Sequence, residues 1–385
     1  MIYCTAAAAQ QYLIFTRSIL VNEILHIRND VVKAGMEVFT MQGMMDCVVF
    51  TEVGKYEITQ KPIPQLKRPN DVLVKVLACS ICGTDVHILA TPPQYPAIPG
   101  TIIGHEIVGE VVECGEAVTG FKPGDRLIMD NNIACGTCEI CKKGDYNVCP
   151  NMKSIGMEYD GAFAQYLVCP DSNLAKINKD VPIDSAIFAE PLNVAMGGMK
   201  KLHIMPGDNV VIIGGGPFGM YFTKLCKMAG AGKVIITGRS EARRKYLLES
   251  GADRIVNTRE EDLKAVVQEE MPLGADITIE CVGTTIDQCI DLVRPGGTVL
   301  VIGLNDKAEQ TISQHWIARK GITVLGSFIG VNVLQTVASG LNSGQLDFSY
   351  MITHRLPLKD FEIGLEAMRT SQAIEVVLYP WGEMN

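Results

Sequence analysis

Along the chain the apolar positions fall into two textures, and the change between them is the first sign of organisation. From residue 44 to about residue 180, apolar residues come in short alternating runs broken by Gly and Pro. Asp46–Phe50, a turn at Gly54 and Tyr56–Ile58 predict a β-hairpin. Pro62, Pro64 and Pro69 predict a loop before the alternating strand Asp71–Leu77. Two more strands are expected at Ile107–Glu113 and Asp125–Met129, set apart by turn signals at Gly115, Gly120 and Lys122–Gly124. The front of the chain therefore reads as β-rich.

Beyond about residue 183 the alternation stops. Asn209–Ile213 is short and almost wholly apolar, as expected of a strand covered on both faces in a parallel sheet. A helix at Phe218–Ala229, a strand at Lys233–Thr237 and a helix at Glu241–Ser250 follow. Strands are then expected at Arg254–Val256, Asp276–Glu280, Thr298–Ile302 and Ile322–Leu325, with helices between. Six strands joined by crossover helices predict an α/β fold with a doubly wound Rossmann sheet. The last stretch predicts helices near Val331–Leu341 and Leu358–Arg369, and a final strand, Ala373–Leu378, that returns to the front region. The first 40 residues share neither texture. Ala6–Ala9 and the loosely amphipathic Ile19–Val32 predict a marginal helix, and this stretch is expected not to belong to the functional protein, which would then begin at Met41.

Charge and composition narrow the classes. The 385 residues carry 34 Lys+Arg against 43 Asp+Glu, a net charge of −9, which offers no phosphate-neutralising surface for nucleic acid. A hydrophobic fraction of 47% suits a globular core and excludes wholesale disorder. No apolar run approaches the roughly 18–20 residues of a membrane span. No Lys or Arg precedes the apolar Tyr12–Phe15, so a cytoplasmic protein is expected and not a secreted one. With 13 cysteines and no secretory signal, reduced thiols and metal ligands are expected in place of a disulfide scaffold.

The cysteines are not scattered. Cys135, Cys138, Cys141 and Cys149 can wrap one tetrahedral zinc in a closed site that does no chemistry. An iron–sulfur cluster uses similarly short spacings and remains an alternative at this level. A second constellation joins Cys82, Thr84, Asp85 and His87 with Gly104, His105 and Glu106. A Cys, a His and a carboxylate suit a zinc that keeps one position open. Each residue alone also fits an ordinary role, His105 in a turn and Cys82 in a core, and Cys79 competes with Cys82 on spacing.

Gly214, Gly216 and Gly219, with Pro217 and Phe218 between them, directly follow the apolar strand and open a helix. In that context G-x-G-x-x-G binds a dinucleotide pyrophosphate at the helix N-terminus. At the end of the next strand, an NAD site usually carries an acid for the ribose 2′-hydroxyl. Here stand Gly238, Arg239 and Ser240, with Arg243 and Arg244 a turn further on. The missing acid and the available guanidinium predict NADP(H) in preference to NAD(H).

Together, ICGTD at 81–85, GHE at 104–106, the four-cysteine run, AEP at 189–191 and GGGPFG at 214–219 resemble the zinc-dependent medium-chain alcohol, polyol and threonine dehydrogenases, over about Met44–Pro380. The resemblance implies a GroES-like β-rich catalytic domain from residues 44–193 and 331–385, a Rossmann domain from 194–330, and an N-terminal extension at 1–43. It implies two Zn2+ per subunit. One would be catalytic, held by Cys82, His105, Glu106 and Glu190, with Glu190 standing where alcohol dehydrogenases carry a second cysteine; the other would be structural, on the four-cysteine run. Thr84 and His87 match the family's proton relay, Asp85 the acid that orients His105, and Glu106 the acid beside the metal. Cys281, Leu304 and Phe328 fall among the implied cofactor contacts. The implied reaction moves hydride between a secondary alcohol or polyol and its ketone, with Thr84 taking the hydroxyl proton and His87 passing it to solvent.

Two positions depart from the family pattern. Ser327–Gly330 stands where sorbitol-type members carry an Arg-Tyr pair after the sixth strand, and Glu375 where the family commonly has Lys or Arg. A carbonyl or imine reductase on the same fold is the alternative reading. An inactive metal-scaffolded binding protein is the reading from another class, disfavoured because Cys82, His105, Glu190, Thr84 and His87 are all present. The expected partner is a small-molecule alcohol or carbonyl compound. The resemblance further implies a homodimer or homotetramer, joined at the apolar edge near Thr298–Ile302 and Ile322–Leu325.

Overall fold

A computed structural model describes residues 42–382, so the helix and the start expected within the first 41 residues lie outside the described residues. β1 (Met44–Glu52) and β2 (Lys55–Pro62) form the antiparallel hairpin around Gly54, whose φ of 75° suits a residue without Cβ. β2 runs further than its prolines suggested. Pro62 ends it opposite Met44 in a two-stranded ribbon, where a strand end tolerates a missing N–H.

β3 (Asp71–Ser80), β4 (Glu106–Cys114) and β5 (Arg126–Met129) are the next expected strands. A small ladder of β6 (Asn132–Ile133) and β7 (Lys153–Ser154) brackets the four-cysteine run. β8 (Tyr166–Pro170) and β9 (Leu174–Ile177) complete the front region; neither was expected from the sequence.

The parallel sheet follows: β10 (Asn209–Ile213), β11 (Lys233–Thr237), β12 (Arg254–Val256), β13 (Ala275–Glu280), β14 (Val293–Val301) and β15 (Thr323–Gly326). Its order is β12-β11-β10-β13-β14-β15, the reversal at β10 that a doubly wound dinucleotide sheet requires. Along β10, β11 and β13 both faces are buried, which is why these strands lack alternation. Val210, Ile212 and Ile236 pack into one core, while Val211, Ile213 and Ile235 pack into another on the opposite face.

β16 (Ile352–Pro357) and β17 (Glu375–Tyr379) return to the front. β17 pairs antiparallel with β3, Val377 opposite Ser80, giving a sheet of order β16-β17-β3-β4-β5-β9 with β8 also on β3. The helix Ala189–Met199 bridges the two sheets. One continuous core contains Ala78, Val108 and Ile128 from the front, Ala189, Leu192 and Ala195 from this helix, and Val210 and Ile212 from β10. Among the described residues, no helix is long and apolar enough to cross a membrane.

Candidate active site and metal centres

Pairing of β3 with β4 builds the first cluster. Ser80 lies opposite Glu106 in that ladder, so Cys82, just past the end of β3, meets His105, just before the start of β4. One ligand atom each of Cys82, His105 and Glu106 fall within 4.8 Å of one another. Cys82 is the N-cap of the helix Gly83–Ile88, and Asp85 Oδ2 accepts its backbone N–H at 2.9 Å. Asp85 Oδ1 lies 3.5 Å from His105 Nδ1, which leaves Nε2 as the nitrogen free to bind a metal. Asp85 thus orients both neighbours. Cys79 stays buried in β3, its Sγ 3.9 Å from the carbonyl of Leu378, outside the cluster.

Burial, reinforced by Glu106, pushes the Cys82 thiol up to about 12 against the pull of His105. Burial opposes charge on His105, but Asp85 and Cys82 outweigh it and hold the ring well above its usual value. Glu106 is raised by burial although His105 and a hydrogen bond from Ser80 Oγ oppose this. A thiol, an imidazole and carboxylates desolvated together are costly without a compensating cation, and this donor set is one that zinc accepts. The residues fit the metal.

Glu190, on the first turn of Ala189–Met199, is buried but falls outside the 4.8 Å group. Burial lifts it to about 8; His105 opposes, while Glu106 and Asp130 add to the rise. It faces the cluster without belonging to its tightest part. Thr84 Oγ1 is 3.7 Å from Cys82 Sγ, and His87 lies three residues on, on the same face of the short helix. Partial burial lowers His87, so its ring is neutral at pH 7 and able to accept a proton.

The departure at Glu375 has a structural consequence. The side chain is buried, its Oε1 has no hydrogen-bond partner among the described residues, and it feels the charge of Glu106, which accepts the hydroxyl of Ser80. Burial and then Glu106 hold its carboxyl well above the usual carboxylate range, so an acid sits where the family pattern places a cation. Ser80 carried no signal in the sequence, because its contact with Glu106 exists only once β3 and β4 pair.

The four cysteines converge as their spacing predicted. Sγ atoms are separated by 3.5 Å (Cys135–Cys149), 3.9 Å (Cys138–Cys149) and 4.0 Å (Cys135–Cys141). A tetrahedron with metal–sulfur bonds of about 2.3 Å has sulfur edges of about 3.8 Å, so the cradle has the size of one zinc. Backbone N–H groups of Thr137 and Cys138 pull the Cys135 thiol down to about 5, ready as a thiolate.

At the parallel sheet, Gly216 caps Pro217–Met228 with no side-chain bond, and a Cβ there would meet nothing within 4 Å, so this helix N-terminus is not covered by a side chain of its own cap. A Cβ at Gly219 would sit 1.9 Å from the carbonyl of Gly214, so glycine there allows the tight turn; Phe218 stacks edge-on to Tyr221 behind it. A cavity of about 470 Å³ is lined by Gly214, Gly238 and Arg239, and by Thr258, Thr284 and Thr285, which the sequence reading did not single out. Glu280 shapes that far wall, accepting the backbone N–H of Val282, Gly283, Thr284 and Thr285. Gly216, Pro217, Phe218, Gly219, Ser240, Arg244, Cys281, Leu304 and Phe328 do not line this cavity, although Cys281 abuts Gly214.

A dinucleotide-type sheet set against a buried thiol–imidazole–carboxylate cluster defines a metal-assisted oxidoreductase. Residues 68–179 match the family model described as alcohol dehydrogenase GroES-like domain, and residues 217–343 that of zinc-binding dehydrogenase. An L-threonine 3-dehydrogenase of Caldanaerobacter subterraneus subsp. tengcongensis is 36% identical over 351 residues, 88% of this chain and 100% of that protein. A zinc-binding dehydrogenase from Sinorhizobium meliloti 1021, solved with NADP bound, superposes with a TM-score of 0.83 at 34% identity, covering 88% of this chain and 100% of that one. The alcohol dehydrogenase TADH from Thermus sp. ATN1 gives 0.80 at 31%, over 87% and 99%. The chain belongs to the zinc-dependent medium-chain dehydrogenases, which act on CH–OH groups with a nicotinamide cofactor.

Proposed function

We propose that this protein is a zinc-dependent, NADP(H)-preferring dehydrogenase of a secondary alcohol, with vicinal diols, polyols and 3-hydroxy amino acids as the substrate class to test first. The observation that carries the reading is the convergence of Cys82, His105 and Glu106 beside Glu190, on the helix that joins the front sheet to the parallel one. Residues 44–193 and 331–385 act as the catalytic unit and 194–330 as the cofactor unit. Measuring oxidation of L-threonine, 2,3-butanediol, sorbitol and 2-propanol with both cofactors tests it. Turnover of at least one class is expected, and none in any combination would overturn the reading.

Cys82 and His105, with Glu106 and Glu190 at hand, would hold a zinc ion, which would supply Lewis acidity toward an alcohol or carbonyl oxygen. The rest falls to the chain. Thr84 Oγ1, beside Cys82 Sγ, receives the hydroxyl proton, and neutral His87 carries it toward solvent. Asp85 holds His105 in one tautomer. The Gly214–Gly219 turn would receive the cofactor's pyrophosphate at the N-terminus of the helix it opens.

Two zinc ions per subunit are expected by elemental analysis. Chelator should remove one with the activity while the fold persists, because the four-thiolate cradle releases metal more slowly. One zinc, or iron, in the fully active protein would contradict the assignment. The protein is also expected to be a homodimer or homotetramer. Among the described residues β15 pairs only with β14 and forms the edge of the sheet, with exposed Val324 on it and exposed Trp316 in the helix before it. Light scattering at micromolar concentration should show no monomer.

A further inference from the structure

The four-cysteine lobe touches the parallel sheet through a single described side-chain hydrogen bond that neither zinc site requires. Asn147, in the turn Tyr146–Val148 between Cys141 and Cys149, donates from Nδ2 to the carbonyl of Phe328 at 2.8 Å. Phe328 lies just after β15, at the carboxyl end of the sixth parallel strand, the side of such a sheet on which ligands bind.

The segment that receives this bond is held in an unusual shape. Ile329 has a φ of 42°, a left-handed conformation that a β-branched side chain rarely adopts and that persists only where the surroundings over-determine it. On its other side it is pressed against Ala189–Met199, the helix that carries Glu190. A Cβ on Gly330 would meet the carbonyl of Asn193 at 2.5 Å, and a Cβ on Gly197 would meet that of Ile329 at 2.7 Å. Lys201 Nζ donates to the carbonyl of Gly326 at 2.6 Å, and Lys200 Nζ to that of Val331 at 3.4 Å. Ser327 Oγ, within the segment, and Asn193 Oδ1, on the helix, are buried without a hydrogen-bond partner among the described residues. Helix and lobe therefore grip 326–331 from two sides, and Asn147 is the lobe's part of that grip.

We infer that Asn147 is a positioning residue that makes the four-cysteine lobe a strut for the cofactor, fixing the backbone of 327–330 beside the crevice where the nicotinamide end is received. This rests on the reading that a nicotinamide dinucleotide occupies the parallel sheet. A single hydrogen bond from a half-buried side chain is a small effect, so its loss should act on binding and leave the metal alone.

The test uses the full-length zinc-loaded protein and NADPH, whose affinity is read by fluorescence titration without turnover. Asn147→Ala and the isosteric Asn147→Asp, which cannot donate, should both weaken NADPH binding by roughly three- to tenfold, with zinc content unchanged. Ile329→Gly removes the need to hold a strained backbone, so Asn147→Ala added to it should cost less than it does alone. Unchanged affinity in both Asn147 variants would overturn the inference. Loss of zinc from them would also overturn it, since Asn147 would then serve the lobe alone. Failure of the unmodified protein to bind NADPH or NADH would instead overturn the dehydrogenase reading on which it stands.

Discussion

Cys82→Ala is expected to lower kcat/KM on the order of a thousandfold or more, to reduce bound zinc from two ions to one per subunit, and to leave the fold intact. The magnitude follows from losing several kcal/mol of Lewis-acid stabilisation at the developing alkoxide charge. The fold should survive because the thiol is not what secures this corner. The helix Gly83–Ile88 starts on a backbone contact, Cys82 N–H to Asp85 Oδ2, which alanine keeps. Asp85 would still face His105, now beside a smaller neighbour. Steady-state kinetics, elemental analysis and circular dichroism on the same preparation check it. Activity within tenfold of the unmodified protein would remove Cys82 from the metal.

The second large effect concerns the cofactor. NADP(H) should be preferred over NAD(H) by tenfold to a hundredfold or more in kcat/KM, and Arg239→Ile should remove most of that preference by weakening NADP(H) alone. A charge-assisted contact to the 2′-phosphate is worth about 1.5–3 kcal/mol, which sets the range. In the cavity Arg239 stands next to Gly238 at the end of β11, where no acid opposes a phosphate. The acids across the cavity are engaged elsewhere: Glu261 pairs with Arg254, and Asp262 caps Leu263–Glu270 by accepting the N–H of Lys264 at 2.9 Å. Gly238→Asp is the less clean variant. Its Cβ would lie 2.6 Å from Leu247 Cδ1 and 3.2 Å from Ile255 Cγ2, so the space beside Gly238 belongs to the core as much as to the ligand. Equal efficiency with NAD in the unmodified protein would show that the missing acid carries no preference.

What the sequence determined by itself was whatever depends on neighbours along the chain. The strands of the parallel sheet were legible because burial on both faces demands unbroken apolar runs, and Asn209–Ile213 and Lys233–Thr237 match β10 and β11 residue for residue. The four-cysteine cradle and the Gly214–Gly219 turn were legible because each closes within one short loop. The helix Ala189–Met199 was not. It is buried nearly all round, with Gly197 and Gly198 in its last turn, so it has no polar face and no helical periodicity to detect. β16 was missed because its residues are mostly half-buried and include His354 and Arg355.

Tertiary structure decided what lies across from what. The β3–β4 ladder brings Cys82 to His105, where a spacing argument could not choose between Cys79 and Cys82. The return of β17 beside β3 puts Glu375 behind Glu106. The contact of Asn147 with Phe328 spans the two halves of the molecule. Local pattern reports how a residue is solvated, and that is enough to place strands, turns and short-range ligand sets. Which buried groups face one another is set only when distant segments pair.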